Sequence, residues 1–135
     1  VIKLRLSLPC PVNRRFTPIS YSKKFPSGKR VTLARQVLSK EYRQKQERLV
    51  SEVWKQLGGR PTPYVGAVQI NFTITPATKK TPDQDAYHKA LYDGLARAGV
   101  VSDDVQLVSG NVERMPNAQY PGHLEVEIYP LEPQP

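Results

Sequence analysis

The sequence has almost no cysteine. Cys10 stands alone among 135 residues, so no internal disulfide can form, and four Cys or His zinc ligands cannot be clustered. A reducing cytoplasm is the compartment this predicts. Long apolar runs are missing too. None approaches the roughly 20 residues of a bilayer-crossing helix, so a membrane-spanning protein is not expected, and no signal-peptide pattern opens the chain. Acids are absent from residues 1–35, which hold nine Lys or Arg. No Gly-rich phosphate loop and no Ser-His-Asp pattern occurs. Cys10 has no convincing basic partner for nucleophilic chemistry. His88 and His123 are isolated from each other and are not expected to bind a metal.

What is present is an uneven charge. The net charge is +8, yet from Asp83 to the end acids outnumber bases nine to three. A basic half beside an acidic one suggests a polyanion partner next to a local acidic feature. The basic residues Arg14, Arg15, Lys23, Lys24, Lys29 and Arg30 surround Phe16 and Tyr21 in a stretch, 9–30, that reads as irregular. They are candidate DNA contacts, the cations for phosphates and the aromatics for unpaired bases. Lys79 and Lys80, just before the first acid of the acidic half, are further candidates.

Hydrophobic periodicity places the elements around these features. "VIKLRLSL" alternates as a strand with Leu4 and Leu6 on one face. "RVTL" is a short strand. A long helix is expected from about Leu33 or Ser39 to Leu57, with Ser39 as N-cap and Gly58–Gly59 as the stop. Its apolar stripe includes Trp54, a core or dimer-interface residue. "YVGAVQINFTIT" reads as a strand, 83–98 as a second helix, "VQLVSGNVERM" as a strand with Gly110 as a bulge, and "HLEVEIYP" as a strand with Leu124, Val126 and Ile128 inward. The order predicts one α+β domain over residues 1–130, a mixed sheet with two main helices packed on it. Residues 131–135 read as a flexible tail.

"TPDQDAYHKALYDGL", residues 81–95, is where chemistry concentrates. Ala86, Tyr87, Ala90, Leu91, Gly94, Leu95 and Ala98 form an apolar stripe for the sheet. Asp85, Lys89 and Asp93 follow at i, i+4, i+8 on a more exposed one. Taken alone, Asp83 and Asp85 are explained by helix capping and the helix dipole. Asp85 with Lys89 would be an ordinary pair worth about 0.2–0.5 kcal/mol. "SDD", at 102–104, adds a second acidic pair. If Asp104 reaches Asp83 and Asp85, three carboxylates repel one another, and a hard divalent cation relieves that repulsion. Asp103 then serves as the turn residue or as an additional site residue.

With these positions in view, "DQDAYHKALYDGL" followed by "AGVVSDDVQLV" resembles the RusA family of Holliday junction resolvases. Its pattern matches Asp83, Asp85, Lys89, Asp93, Leu95, Gly99, Asp103, Asp104 and Gln106. "LSLPCPVNRR", "SKEYRQ" and "RMPNAQYPGHLEVEI" are similar to other parts of that family in the same order. The family's Asn after the second acid is Ala86 here. The resemblance implies a RusA-like, dimeric α+β fold and a Mg²⁺-dependent endonuclease, with Mn²⁺ as the alternative ion. This enzyme would cut four-way DNA junctions in recombination and repair. Asp83, Asp85 and Asp104 would be the metal carboxylates and Lys89 the catalytic lysine. Cleavage would leave 5′-phosphate and 3′-hydroxyl ends. The alternative is a non-catalytic, basic junction-binding protein on the same fold.

Overall fold

The computed structural model describes residues 1–79 and 84–135. Four strands form the main sheet: β1 (Ile2–Ser7), β4 (Val68–Thr75), β5 (Leu107–Arg114) and β6 (His123–Pro130). Two further strands, β2 (Phe16–Lys24) and β3 (Arg30–Leu38), form a separate antiparallel hairpin. The helices are α1 (Lys40–Leu57) and α2 (His88–Ala98). The order across the main sheet is β1-β6-β4-β5. β6 is antiparallel to β1 and β4, whereas β5 runs parallel to β4. A parallel neighbour needs a crossover connection, and α2 supplies it. The α+β class, the mixed sheet and the two helices are as expected. No helix among the described residues is long and apolar enough to cross a membrane.

Strand alternation sorts the sheet's faces. Val68, Ile70, Phe72 and Ile74 of β4 are buried, as are Leu124, Val126 and Ile128 of β6 and Leu4 and Leu6 of β1. They pack with Leu49, Val53, Leu91 and Leu95 of the helices into one core. The expected bulge at Gly110 is present. Ile70 pairs with Ser109 but Phe72 pairs with Val112, so two β5 residues, Gly110 and Asn111, sit opposite the single Asn71 of β4. A Cβ on Gly110 would lie 2.9 Å from the Ile70 carbonyl oxygen, which explains the glycine. The Asn71 side-chain oxygen accepts from the Asn111 amide (2.8 Å) and occupies the gap in the ladder.

Three expectations need correction. Residues 16–24 are strand rather than irregular, and the short strand expected at "RVTL" runs to Leu38. β2 leaves no periodic signal in the sequence because nearly all of it is exposed, so no buried face imposes an apolar–polar alternation. Its turn is set by Gly28 at φ +85°. Second, the helix expected from Asp83 begins at His88, preceded by a tighter 3-10 turn over Gln84–Tyr87. That turn buries both Ala86 and Tyr87 while leaving Asp85 exposed. Tyr87, at the helix's cap position, makes no side-chain cap bond. Third, Val65 and Ala67 lie before β4 instead of within it, and Val65 is exposed. At the tail, Leu131 donates its amide to the Ala67 carbonyl, and Gln134 exchanges two hydrogen bonds with the Val65 backbone.

The two helices are locked by polar groups as well as by packing. A Cβ on Gly94 of α2 would meet Leu49 carbons of α1 at 2.6 and 2.8 Å, so the glycine permits their close approach. The buried Gln46 amide donates to the Ala90 carbonyl (2.7 Å), and the Trp54 indole N–H donates to the Ala98 carbonyl (2.8 Å). Ala98 ends α2, where carbonyls lack helical partners, so Trp54 satisfies an otherwise open acceptor.

Ser39 performs the expected capping and more. Its hydroxyl oxygen accepts from the Tyr42 amide (3.0 Å) and its hydroxyl donates to the Arg14 carbonyl (2.7 Å). Its own amide donates to the Arg15 carbonyl (2.8 Å). The base of the hairpin is thereby fastened to the start of α1. Ser39→Ala removes both hydroxyl bonds and should destabilise the fold by about 1–2 kcal/mol in urea denaturation. A midpoint unchanged from the parent chain would show that the cap contributes nothing.

Candidate active site

The crossover helix brings together residues that are remote in sequence. Lys89, in the first turn of α2, points its ammonium at Asp93 one turn on, with Nζ–Oδ1 at 2.9 Å. The same Nζ lies 3.4 Å from Asp104 Oδ2, across the loop into β5. The contact that would have made Asp85 and Lys89 an ordinary helical pair is absent. Asp85 sits in the 3-10 turn, outside the α-helical register that pairs i with i+4. It is exposed and engages no described side chain.

The "SDD" pair divides its work. Asp103 caps the short 3-10 turn Asp104–Gln106, its carboxylate accepting from the Val105 amide (3.1 Å). That bond, followed by interaction with Asp104, holds the Asp103 carboxyl below its usual pKa. Gln106 completes the cap. Its carbonyl oxygen accepts from the Ser102 and Asp103 amides, and its amide donates to the Tyr64 and Gly66 carbonyls. Four bonds from one side chain therefore stiffen the loop that carries Asp104. The glutamine matched by the acidic pattern is explained as a brace for that loop.

Asp93 is the member of the pattern that sequence reasoning left without a role. Its Oδ2 accepts from the Tyr42 hydroxyl (2.8 Å) and faces the Arg15 guanidinium at 3.5 Å, while Oδ1 holds Lys89. One carboxylate thus joins α1, the foot of the hairpin and α2. The i, i+4 relation to Lys89 was legible in the sequence, whereas Tyr42 and Arg15 lie 51 and 78 residues away. The Asp93 hydrogen bond is the chief reason that the Lys89 ammonium is held above its usual pKa. Burial, then the Asp93 bond, push the Tyr42 phenol up to about 12.

The basic candidates fall into different surroundings. Arg15 is turned inward, its guanidinium 4.9 Å from the Phe16 ring centre and 5.4 Å from that of Tyr42. Arg14 is mostly exposed and lies 3.6 Å from Glu41. Lys23, Lys24, Lys29 and Arg30 gather at the exposed far end of the hairpin, with Phe25 in its turn. Lys79 is exposed in the loop after β4. Asp83 and Lys80 lie outside the described residues. Among the described residues, no group of three or more His, Cys, Asp or Glu could hold a metal. Asp85 and Asp104 nevertheless supply hard oxygen donors of the type Mg²⁺ takes. Asp85 is unengaged, and Asp104 meets Lys89 only at 3.4 Å and is one-third exposed.

Comparison with family models matches residues 18–129 to endodeoxyribonuclease RusA. The chain belongs to the RusA endodeoxyribonuclease family. The match runs from within β2 to within β6 and takes in both helices, so it includes every candidate acid. Family membership indicates endodeoxyribonuclease activity on Holliday junction DNA. Comparison with curated proteins gives no match. Within the RusA pattern, the position of the usual Asn is Ala86, which is 6% exposed. A small apolar side chain suits that buried place.

The Asp93 hub can be tested apart from catalysis. Asp93→Asn keeps the shape but removes the charge that helps hold the Tyr42 proton. In an ultraviolet titration of the tyrosines, the group titrating near pH 12 should shift to lower pH. Because the folded pKa is raised above the ordinary 10.0, this contribution to stability is complete below about pH 10. It is lost as pH rises through about 12. An unaltered titration would remove Asp93 from the Tyr42 environment.

Proposed function

We propose that the chain is a Mg²⁺-dependent resolvase that cuts two strands of a four-way DNA junction as a homodimer. The observation that carries this reading is Lys89 poised between Asp93, one turn along its own helix, and Asp104, which only the crossover brings beside it. Asp83, Asp85 and Asp104 are the carboxylates that would hold the ion, and Mn²⁺ would serve in its place. When bound, the metal polarises a phosphoryl oxygen and lowers the pKa of water.

The chain's own groups account for the rest. Lys89 stays protonated and offers a fixed positive charge beside the acids, where negative charge builds on the phosphorus oxygens. Asp93 limits its rotamers, so little reorganisation is needed during the reaction. Gln106 and Asp103 keep the Asp104 loop still. Water adds to phosphorus, the P–O3′ bond breaks, and the leaving oxygen takes a proton, giving 5′-phosphate and 3′-hydroxyl ends. The basic end of the hairpin neutralises phosphates on a junction arm, with Phe25 available for stacking. A twofold dimer matches a substrate that needs two symmetric cuts.

A labelled four-way junction, a linear duplex and an RNA hairpin, each with Mg²⁺ or with EDTA, test this directly. Paired nicks on the junction alone, dependent on metal, are expected. Asp85→Asn should abolish cutting and spare junction binding, and retained cutting would remove Asp85 from the ligand set. Binding without cutting in Mg²⁺ and in Mn²⁺ would replace the resolvase by a junction-binding protein on the same fold. For the arm, changing Lys23, Lys24 and Lys29 together to Ala should weaken junction binding. It should also flatten the salt dependence by about 0.9 in log–log slope per lost phosphate contact. An unaltered slope would take the hairpin off the DNA.

A further inference from the structure

Beside the turn that carries Asp85 lies a cleft of about 280 Å³ between the β1–β2 connection, α1 and the loop leaving β4. Its charged wall holds Arg14, Lys45 and Arg48. Arg14 and Lys45 share one carboxylate, Glu41, at 3.6 and 2.9 Å. Arg48 donates to the Ser7 hydroxyl at 2.8 Å, and no carboxylate is paired with it among the described residues. Glu41 is paired and Glu52 reaches Arg48 only through the Ser7 hydroxyl, so three cations and no acid among the described residues line the cleft. Leu8, Ala77 and Pro121 give the lining an apolar part, and Tyr87, from the turn that carries Asp85, lines it too. Lys45 and Arg48 lie on one helix three residues apart, so both project to the same face. Lys45 keeps its ion pair with Glu41, while Arg48 has only the Ser7 hydroxyl as a hydrogen-bond partner among the described residues. The Ser7 hydroxyl already donates to Glu52 at 2.7 Å.

We infer that this cleft seats the sugar–phosphate backbone of one DNA strand. Its phosphates sit against Arg48 and Lys45, and a deoxyribose lies against Leu8, Ala77 and Pro121. The cleft is larger than a lone phosphate needs, and its apolar wall has no use for one. A concave site lined by one sign of charge concentrates the field on a polyanion. Because Tyr87 lines the cleft and is two residues from Asp85, a strand held here runs past the turn that carries that acid. The inference rests on the nuclease reading for its substrate, but it concerns positioning of the strand and not the cut.

The test therefore measures binding with cutting switched off. Anisotropy of a fluorescent four-way junction in EDTA, over a salt series, compares the parent chain with Arg48→Gln, Lys45→Gln/Arg48→Gln and Lys55→Gln. The double change should weaken binding about 5–50-fold and reduce the salt slope by roughly 1–2. Lys55→Gln, an exposed α1 cation that does not line the cleft, should change neither. Arg48→Lys should restore most of the slope. Junctions with single neutral methylphosphonate linkages give a second readout. The linkage that weakens the parent chain should have little further effect on Arg48→Gln. A parental slope in both Arg48→Gln and the double variant, or additive losses at every linkage, would overturn the cleft. Junction binding without any cutting by the parent chain would sink the resolvase reading alone.

Discussion

The carboxylate of Asp93 is the constraint on which the site's arrangement depends. It accepts from a phenol, faces a guanidinium and holds an ammonium, each from a different part of the chain. A partly buried carboxylate needs such partners, since an unpaired one would lose much of its hydration without return. Once they are in place, three elements are fixed at one point: the foot of the hairpin through Arg15, α1 through Tyr42, and the candidate catalytic face of α2 through Lys89. The energy that holds the ammonium in place is therefore shared with the energy that docks the hairpin.

The packing behind this point explains how α2 serves two purposes. Its inner stripe of Ala90, Leu91, Leu95 and Ala98 is buried. Gly94 lets α1 approach closely, and Gln46 and Trp54 tie the two helices through backbone carbonyls of α2. Such side-chain-to-backbone bonds are directional and set the relative position of the helices more closely than apolar contact alone. The outer stripe then has little freedom, and Lys89 and Asp93 project from a rigid support. The hairpin is the opposite case. It is a two-stranded unit, exposed along most of β2, anchored at its foot and basic at its tip. A free two-stranded ribbon has little stability of its own, so the anchoring by Ser39 and Asp93 carries much of its order.

Legibility in the sequence followed burial. β4 and β6 could be read because one face of each is buried and the alternation of Ile70, Phe72 and Ile74, or of Leu124, Val126 and Ile128, records that face. The start of α1 could be read because Ser39 is a local cap. The hairpin could not, because neither side of β2 is held to a core and Pro18 interrupts its pattern. The 3-10 turn before α2 was also hidden. Whether a turn closes at three or four residues there depends on seating Ala86 and Tyr87 against the rest of the molecule, which local propensity does not encode.

The same division applies to the site. The sequence by itself determined the chemical inventory: an acidic pattern with a lysine, a second acid pair, a basic half, and the family these match. It also determined the Asp93–Lys89 pairing, since a helix places i and i+4 side by side. Tertiary structure alone decided that Lys89 also meets Asp104, and so that Asp104 of the second acid pair faces the lysine while Asp103 caps its turn. It alone drew Arg15 inward to Asp93, and it alone brought Lys45 and Arg48 to the cleft beside the Asp85 turn. Those outcomes depend on where the β4–α2–β5 crossover and the hairpin foot come to rest. That position follows from burying apolar surface across the whole sheet, and no local stretch of residues specifies it.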